Sequence, residues 1–399
     1  MLEPIPAIHD HVARPGESGP WPAALDAVLS AEMARAAAGE IAQWPGYAPT
    51  PLHPLDALAT TLELGAVVYK DEGRRLGLAS FKALGGAYAV LCLAGERVGT
   101  SDLAAVRSGA HRAQLADLTV ATATDGNHGR SVAWGARMAG CTCRIYIHAE
   151  VSPGRQRAME ALGAQVVRID GDYDASVRRC AEEAAAHGWT VVSDTSYDGY
   201  REIPRLVMAG YSVLASEILE QMAERPPTHL FVQAGVGGLA AAVAARFWQG
   251  WGERRPRTVV VEPTRAACLT ASARAGAPTS VPLHEETVMA GLSCGATSLL
   301  AWDVLSAAGG DYVTIDDAAV APAMRLLAEG RAGGAPIVAG ESAVPGLIAL
   351  IAAAADPRLR HDLALNGDSR VLLLGCEGAT DPEIYRRMVG ESADALLAG

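Results

Sequence analysis

The chain is short of positive charge, of long apolar runs and of any ordered cysteine pattern, and each shortage removes a class of function. Lysine and arginine total 33 against 45 aspartates and glutamates, for a net charge of −12. Nucleic-acid binding needs a basic stripe or patch, so no such partner is expected. The acidity is spread along the chain rather than gathered in a tail, which suits solubility. No apolar run approaches the roughly 18 residues of a membrane-spanning helix. The longest, around Val344 to Ala355, reads as a buried helix, and no membrane partner is expected. The opening Met1-Leu2-Glu3-Pro4 has neither a basic head nor an apolar stretch, so no signal peptide is expected. Seven cysteines at irregular spacing do not form a secreted disulfide framework. Cys141-Thr142-Cys143 with His148 nearby lacks a second ligand pair, so no metal site is expected and two strand cysteines are the better reading. The cytoplasm is the expected compartment.

What is present points to a packed enzyme. Hydrophobic residues make up 50% of the 399 positions, enough for two lobes with sizeable cores. Before Tyr47 the chain reads as a loosely ordered extension with one helix near Ala23 to Ala38. The strand Ala66 to Lys70 follows. Apolar runs at Thr119–Ala123, Arg144–Ile147, Gln165–Ile169 and Thr190–Ser193 then alternate with helical stretches. A second series runs through His229–Gln233, Thr258–Glu262, Tyr312–Ile315 and Val371–Gly375. Such alternation predicts βαβ units and parallel sheets. The expected fold is therefore α/β, with two lobes, each a mostly parallel sheet flanked by helices. Residues 1–85 and 210–399 are expected to form a large lobe and 86–209 a small one, with ligands at strand C-terminal ends. The segment Val98–Asp117 reads as an insertion.

Five segments carry chemistry. Lys82 lies in Leu78-Ala79-Ser80-Phe81-Lys82-Ala83-Leu84-Gly85-Gly86, a cation among small and apolar residues. An ammonium there must be paired or deprotonated, and a lysine of depressed pKa can attack an aldehyde and hold a cofactor as a Schiff base. Gln233-Ala234-Gly235-Val236-Gly237-Gly238-Leu239 joins a strand to a helix, and its three glycines in four residues suit a compact phosphate cup better than a dinucleotide crossing. Thr124-Asp125-Gly126-Asn127-His128-Gly129 also joins strand to helix. There Asn127 could donate to a phenolate oxygen and Asp125 supplies a carboxylate, although either residue could equally cap the helix. Asp194 ends a strand, where a turn aspartate and a ligand-facing one look alike, and the same ambiguity holds for Cys376.

Taken in order, the Ser80-Phe81-Lys82 run with Gly85-Gly86, the Asp125-Gly126-Asn127-His128-Gly129 loop and the Gly235–Leu239 cup resemble the fold-type-II pyridoxal phosphate enzymes, the superfamily of the tryptophan synthase β-chain and threonine dehydratase. Within it the chain is most similar to the diaminopropionate ammonia-lyase family, through Lys70-Asp71-Glu72, Asp125, Asp194-Thr195, Met289–Gly295, Gly340-Glu341-Ser342-Ala343 and Glu377–Asp381. The resemblance runs from Tyr47 to the C-terminus. It implies pyridoxal 5'-phosphate as cofactor, with Lys82 as its Schiff-base residue. It also implies contacts from Phe81, Asn127, Gly235, Val236, Gly237, Gly238, Leu239 and Cys376. Lys82, Asp125 and Asp194 would be catalytic, and Ser80, Asp125, Asp194, Glu341 and Ser342 would meet a small amino-acid substrate. The implied reaction is α,β-elimination of ammonia from D- or L-2,3-diaminopropionate to give pyruvate and ammonia, by a homodimer. Serine or threonine dehydration, β-replacement, and an idle cofactor-binding regulator are the alternatives. Two departures bear on the substrate: Leu76 replaces an expected aromatic residue, and Cys376 replaces a hydroxyl residue expected to face the pyridine nitrogen. Cys268 and Cys294, each in a segment expected near the active-site mouth, are expected to be close enough to pair, against the alternative of two separate buried thiols.

Overall fold

The computed structural model describes residues 8–398. Its strands are β1 (Asp10–Arg14), β2 (Leu52–Pro54), β3 (Ala66–Asp71), β4 (Thr119–Ala123), β5 (Thr142–Ile147), β6 (Gln165–Arg168), β7 (Thr190–Val191), β8 (His229–Gln233), β9 (Arg257–Pro263), β10 (Gly310–Ile315) and β11 (Arg370–Gly375). One sheet has the order β1-β10-β9-β8-β11-β3-β2 and the other β6-β5-β4-β7. The second is wholly parallel. In the first, only the edge pairings, β1 on β10 and β2 on β3, are antiparallel.

The parallel strands are those the sequence announces, because a strand covered on both faces is apolar at successive positions. β8 is buried at every position. The two edge strands are not announced. β1 falls in the segment expected to be loosely ordered and is held by its register on β10, from Asp10 opposite Thr314 to Arg14 opposite Gly310. β2 ends in Pro54, a residue that a sheet tolerates at an edge. The single helix expected near residues 23–38 is also corrected. Extended backbone at Ser30 (φ −78°, ψ 157°) divides Asp26–Leu29 from Ala31–Ile41.

Packing divides the chain into two compact units. The larger contains residues up to Ala31, Pro49–Arg74 and everything from Leu214, and it carries the seven-stranded sheet. The smaller contains Glu32–Ala48 and Arg75–Val213 and carries the four-stranded sheet. Residues 75–85, expected in the large lobe, therefore pack with the smaller unit, and Lys82 goes with them. The cause is helix α1 (Lys82–Val98), which crosses α2 (Asn127–Ala139) and the first half of α3 (Glu202–Gln221) at close range. A Cβ on Gly85 would lie 2.4 Å from the Tyr211 ring, and one on Gly86 would lie 2.8 Å from Ser131 Oγ. One on Gly135 would reach 2.7 Å from Ala87 Cα, and one on Gly210 2.3 Å from the Leu84 carbonyl. The Gly-Gly pair after Lys82 is thus a packing device that fixes the start of α1.

Within the larger unit, Lys70 is fully buried on β3. Its Nζ donates to Glu217 Oε2 at 2.7 Å, the Thr50 carbonyl at 2.8 Å and Gln221 Oε1 at 2.9 Å. Glu217 Oε2 also accepts the Thr50 N–H at 3.0 Å. The network fastens the segment entering β2 to α3. Removing Lys70 takes a buried ammonium away from Glu217, so Lys70→Met should destabilise the larger unit by about 3–5 kcal/mol. Equilibrium denaturation checks this, and a loss below about 1 kcal/mol would mark the pair as dispensable.

Candidate active site

In the smaller unit Lys82 opens α1 after the N-cap residue Phe81, and the Ser80 hydroxyl accepts the Lys82 backbone N–H at 3.3 Å. Lys82 Nζ reaches Asp194 Oδ2 at 2.5 Å, with both side chains largely but not wholly buried. Burial disfavours the Asp194 carboxylate. The Lys82 ammonium outweighs it, with help from His128, and holds the carboxyl well below the usual carboxylate range. Asp194 is therefore not a bare turn residue.

His128 stands behind this pair, on the first turn of α2. Its Nε2–H donates to the Val192 carbonyl at 2.9 Å, and Nδ1 lies 3.9 Å from Asp194 Oδ2 without a hydrogen-bond partner. Burial lowers its pKa, Asp194 opposes that shift and Lys82 reinforces it. The Tyr211 phenol is buried beside the same groups, and burial pushes its pKa up. Phe81 packs its ring on Tyr211, centroids 4.7 Å apart.

Asp125 is in the same unit but in a different pairing. Neither it nor Asn127 caps α2, whose N-cap is Gly126 with no side-chain cap. The cap role falls to Thr124, whose Oγ1 accepts the N–H groups of Gly126 (3.1 Å) and Gly129 (3.2 Å). Asp125 Oδ1 meets His148 Nε2 at 2.9 Å. His148, considered with Cys141 and Cys143 as a metal ligand, thus spends its Nε2 on a carboxylate. Asn127 is half-buried as the first residue of α2.

The larger unit holds the second group of residues. β8 leads through Gly235–Gly237 into α4 (Gly238–Trp251), with Gly237 in the left-handed region at φ +99°. A Cβ on Gly235 would lie 3.0 Å from Cys294 Sγ. The turn's carbonyls are committed to protein: Gly235 to the Cys268 thiol (3.5 Å), Val236 to Ser298 N–H (3.0 Å) and Gly237 to Ala241 N–H (2.9 Å). Helix-start N–H groups, which no helix can satisfy internally, remain for an anion at Gly238 and Leu239. Cys268 and Cys294 both flank Gly235, yet both are thiols and no disulfide joins them here. Cys376, just past β11, donates its thiol to the Ser342 carbonyl at 3.2 Å. Ser342 N–H donates to Glu377 Oε1 at 3.0 Å, its hydroxyl accepts Gly291 N–H at 3.2 Å, and Glu341 is buried beside it in sequence.

The structure thus brings Lys82, Asp194, His128, Tyr211 and Phe81 together, and places Asp125 with His148 elsewhere in the same unit. It gathers Cys376, Ser342 and Glu377 in the larger unit. Thr124 and Tyr211 escaped the sequence reading, and His148 was weighed there only as a metal ligand. His148 carried a further signal, since it directly follows a strand at its C-terminal end, where ligand-facing groups collect.

Comparison with known proteins identifies the family. A family model described as "Pyridoxal-phosphate dependent enzyme" matches residues 43–377. The chain is 37% identical over 386 residues to the diaminopropionate ammonia-lyase of Escherichia coli (strain K12), spanning 96% of this chain and 95% of that one. It is similar to the crystal structure of the selenomethionine-incorporated holo diaminopropionate ammonia lyase from Escherichia coli, with a TM-score of 0.88, 36% identity and coverage of 97% and 98%. It is also similar to the Escherichia coli enzyme in complex with an aminoacrylate-PLP azomethine reaction intermediate, with a TM-score of 0.86, 35% identity and coverage of 96% and 97%. The matched family model and these relatives show that the chain belongs to the fold-type-II pyridoxal-phosphate dependent enzymes and, within them, to the diaminopropionate ammonia-lyase family.

Proposed function

We propose that this chain eliminates ammonia from 2,3-diaminopropionate and releases pyruvate and ammonia, with Lys82, Asp125 and Asp194 as its catalytic residues. The observation that carries the proposal is the contact of Lys82 Nζ with Asp194 Oδ2 at 2.5 Å. The residues present fit pyridoxal phosphate. A lysine at a helix start is held by a carboxylate, and a glycine turn with occupied carbonyls offers its N–H groups to a phosphate. When bound, the cofactor supplies the electron sink that makes the α-proton of an amino acid removable.

The protein's own residues do the rest. Lys82 would hold the cofactor covalently, the Gly235–Leu239 turn its phosphate, and Asn127 its phenolate oxygen. Phe81 and Cys376 would complete the cofactor contacts, and Ser80, Glu341 and Ser342 would line the substrate's approach. An amine leaves poorly unless it departs protonated, so an acid or its conjugate carboxylate must stand beside it. Asp194 suits this task. Once the Lys82 nitrogen is engaged elsewhere, Asp194 loses its ammonium partner, and its carboxylate can take a β-ammonium by a charge-assisted hydrogen bond. Asp125, partly exposed and not spent on a helix cap, is the second carboxylate. A hydroxyl substrate would need no such acidic pair, which favours the diamine over serine or threonine. The protein is further inferred to be a cytoplasmic homodimer, as its family resemblance implies. Its cysteines are thiols, as a reducing compartment favours, and no helix among the described residues is long and apolar enough to cross a membrane.

Borohydride reduction of the holoenzyme followed by peptide mass analysis should place a pyridoxyl group on Lys82. A label on another lysine would overturn the assignment. Asp125→Asn and Asp194→Asn preserve shape and remove the base, and each should depress turnover of one enantiomer of 2,3-diaminopropionate more than the other while cofactor binding persists. Separate steady-state kinetics on the D and L forms decide this. Wild-type rates in either variant would return that aspartate to a structural role. Light scattering should give twice the chain mass, and a monomer would contradict the dimer.

A further inference from the structure

We propose that His148 is the positioning residue of Asp125, fixing its Oδ1 through an Nε2–H donor so that Oδ2 alone faces the substrate. This rests on the reading of Asp125 as a proton-transfer carboxylate given above.

The pair arises from strand order. β4 and β5 are parallel neighbours, with Ala123 opposite Tyr146, and the Thr124 N–H continues the ladder onto the Tyr146 carbonyl at 3.1 Å. Asp125 leaves β4 one residue later and His148 leaves β5 directly after Ile147, so the two emerge side by side at the C-terminal ends of adjacent strands. Their surroundings differ. The His148 side chain is 4% exposed and that of Asp125 28%.

The backbone under His148 is clamped. Arg168 Nη1 donates to the carbonyls of His148 (3.3 Å), Ala149 (2.7 Å) and Val151 (2.8 Å), and the Ala149 N–H donates to the Gly171 carbonyl at 3.1 Å. Arg168 is thus a charged neighbour of His148, and the Arg155 side chain passes beside Gly126, next to Asp125 in the chain, where an added Cβ would lie 3.3 Å from Arg155 Cδ. An imidazole donor on so fixed a base selects one orientation of a carboxylate that otherwise samples several staggered rotamers. Thr124 Oγ1 takes the helix-start N–H of Gly129, so that donor does not compete for Asp125. One carboxylate oxygen is occupied and the other is left to react. Misplacement of a reacting group by about 1 Å can cost about a hundredfold in rate, so such a positioner should be visible in kcat.

The test compares holoenzymes of wild type, His148→Phe, His148→Gln, Asp125→Asn and the His148→Phe/Asp125→Asn double variant on D- and L-2,3-diaminopropionate. His148→Phe should lower kcat about tenfold to a hundredfold, with the enantiomer pattern of Asp125→Asn and little change in KM or cofactor absorbance. The double variant should be no slower than Asp125→Asn alone, and His148→Gln, which keeps an N–H donor, should recover part of the loss. A second measurement needs no turnover. The His148 ring titration, followed by NMR, should move to lower pH in Asp125→Asn, because a neighbouring carboxylate favours the imidazolium. Losses that add in the double variant, a different enantiomer pattern, or an unmoved titration would overturn the proposal. If wild type turned over neither enantiomer, the function proposed above would fall, and the ring titration would still decide the pairing.

Discussion

The contact between the Lys82 ammonium and the Asp194 carboxylate is the constraint on which the rest of the smaller unit depends. A lysine at the head of a helix built from Ala, Leu and Gly is tolerable only if its charge is answered. Asp194 answers it, and the carboxylate stays ionised against the penalty of burial because the ammonium is there. His128 and Tyr211 are arranged around the same two charges. The glycines of α1, α2 and α3 then hold the helix start where the pair can form. Packing precision and chemistry are one problem in this unit.

The two aspartates illustrate how similar sequence positions acquire different work. Each follows a strand of the same parallel sheet, and each is a plausible turn or cap residue by type. Asp194 meets a cation and is held far toward its ionised form. Asp125 meets an imidazole and keeps part of its surface open. Division of labour between carboxylates is set by what each one touches, a general route by which enzymes separate acid and base roles.

Much of this was legible in the sequence. The parallel strands were, because burial on both faces writes itself as apolar runs between helices. Lys82 stood out as a lone cation in an apolar run and pairs with Asp194, and the Gly235–Leu239 run stood out as a glycine-rich turn and joins β8 to α4. The edge strands β1 and β2 were not, since their pairing depends on neighbours distant in the chain. Residues 75–85 fall on the other side of the expected boundary because the deciding contacts, Gly85 with Tyr211 and Gly86 with Ser131, join segments far apart in sequence. The same distance hid His148: nothing local says that an imidazole after one strand will reach a carboxylate after the next. Thr124 took the capping role that residue type alone assigned equally to Asp125 or Asn127.

The acidic pair is proposed to serve the departure of an amine. Quantifying ammonia and pyruvate together during turnover of 2,3-diaminopropionate tests it most directly. Loss of the β-amine followed by hydrolysis of the unsaturated amine left behind gives two ammonia molecules for each pyruvate, and that ratio is the result predicted. A ratio of one on a hydroxy amino acid, with no turnover of the diamine, would contradict the claim and make the chain a dehydratase.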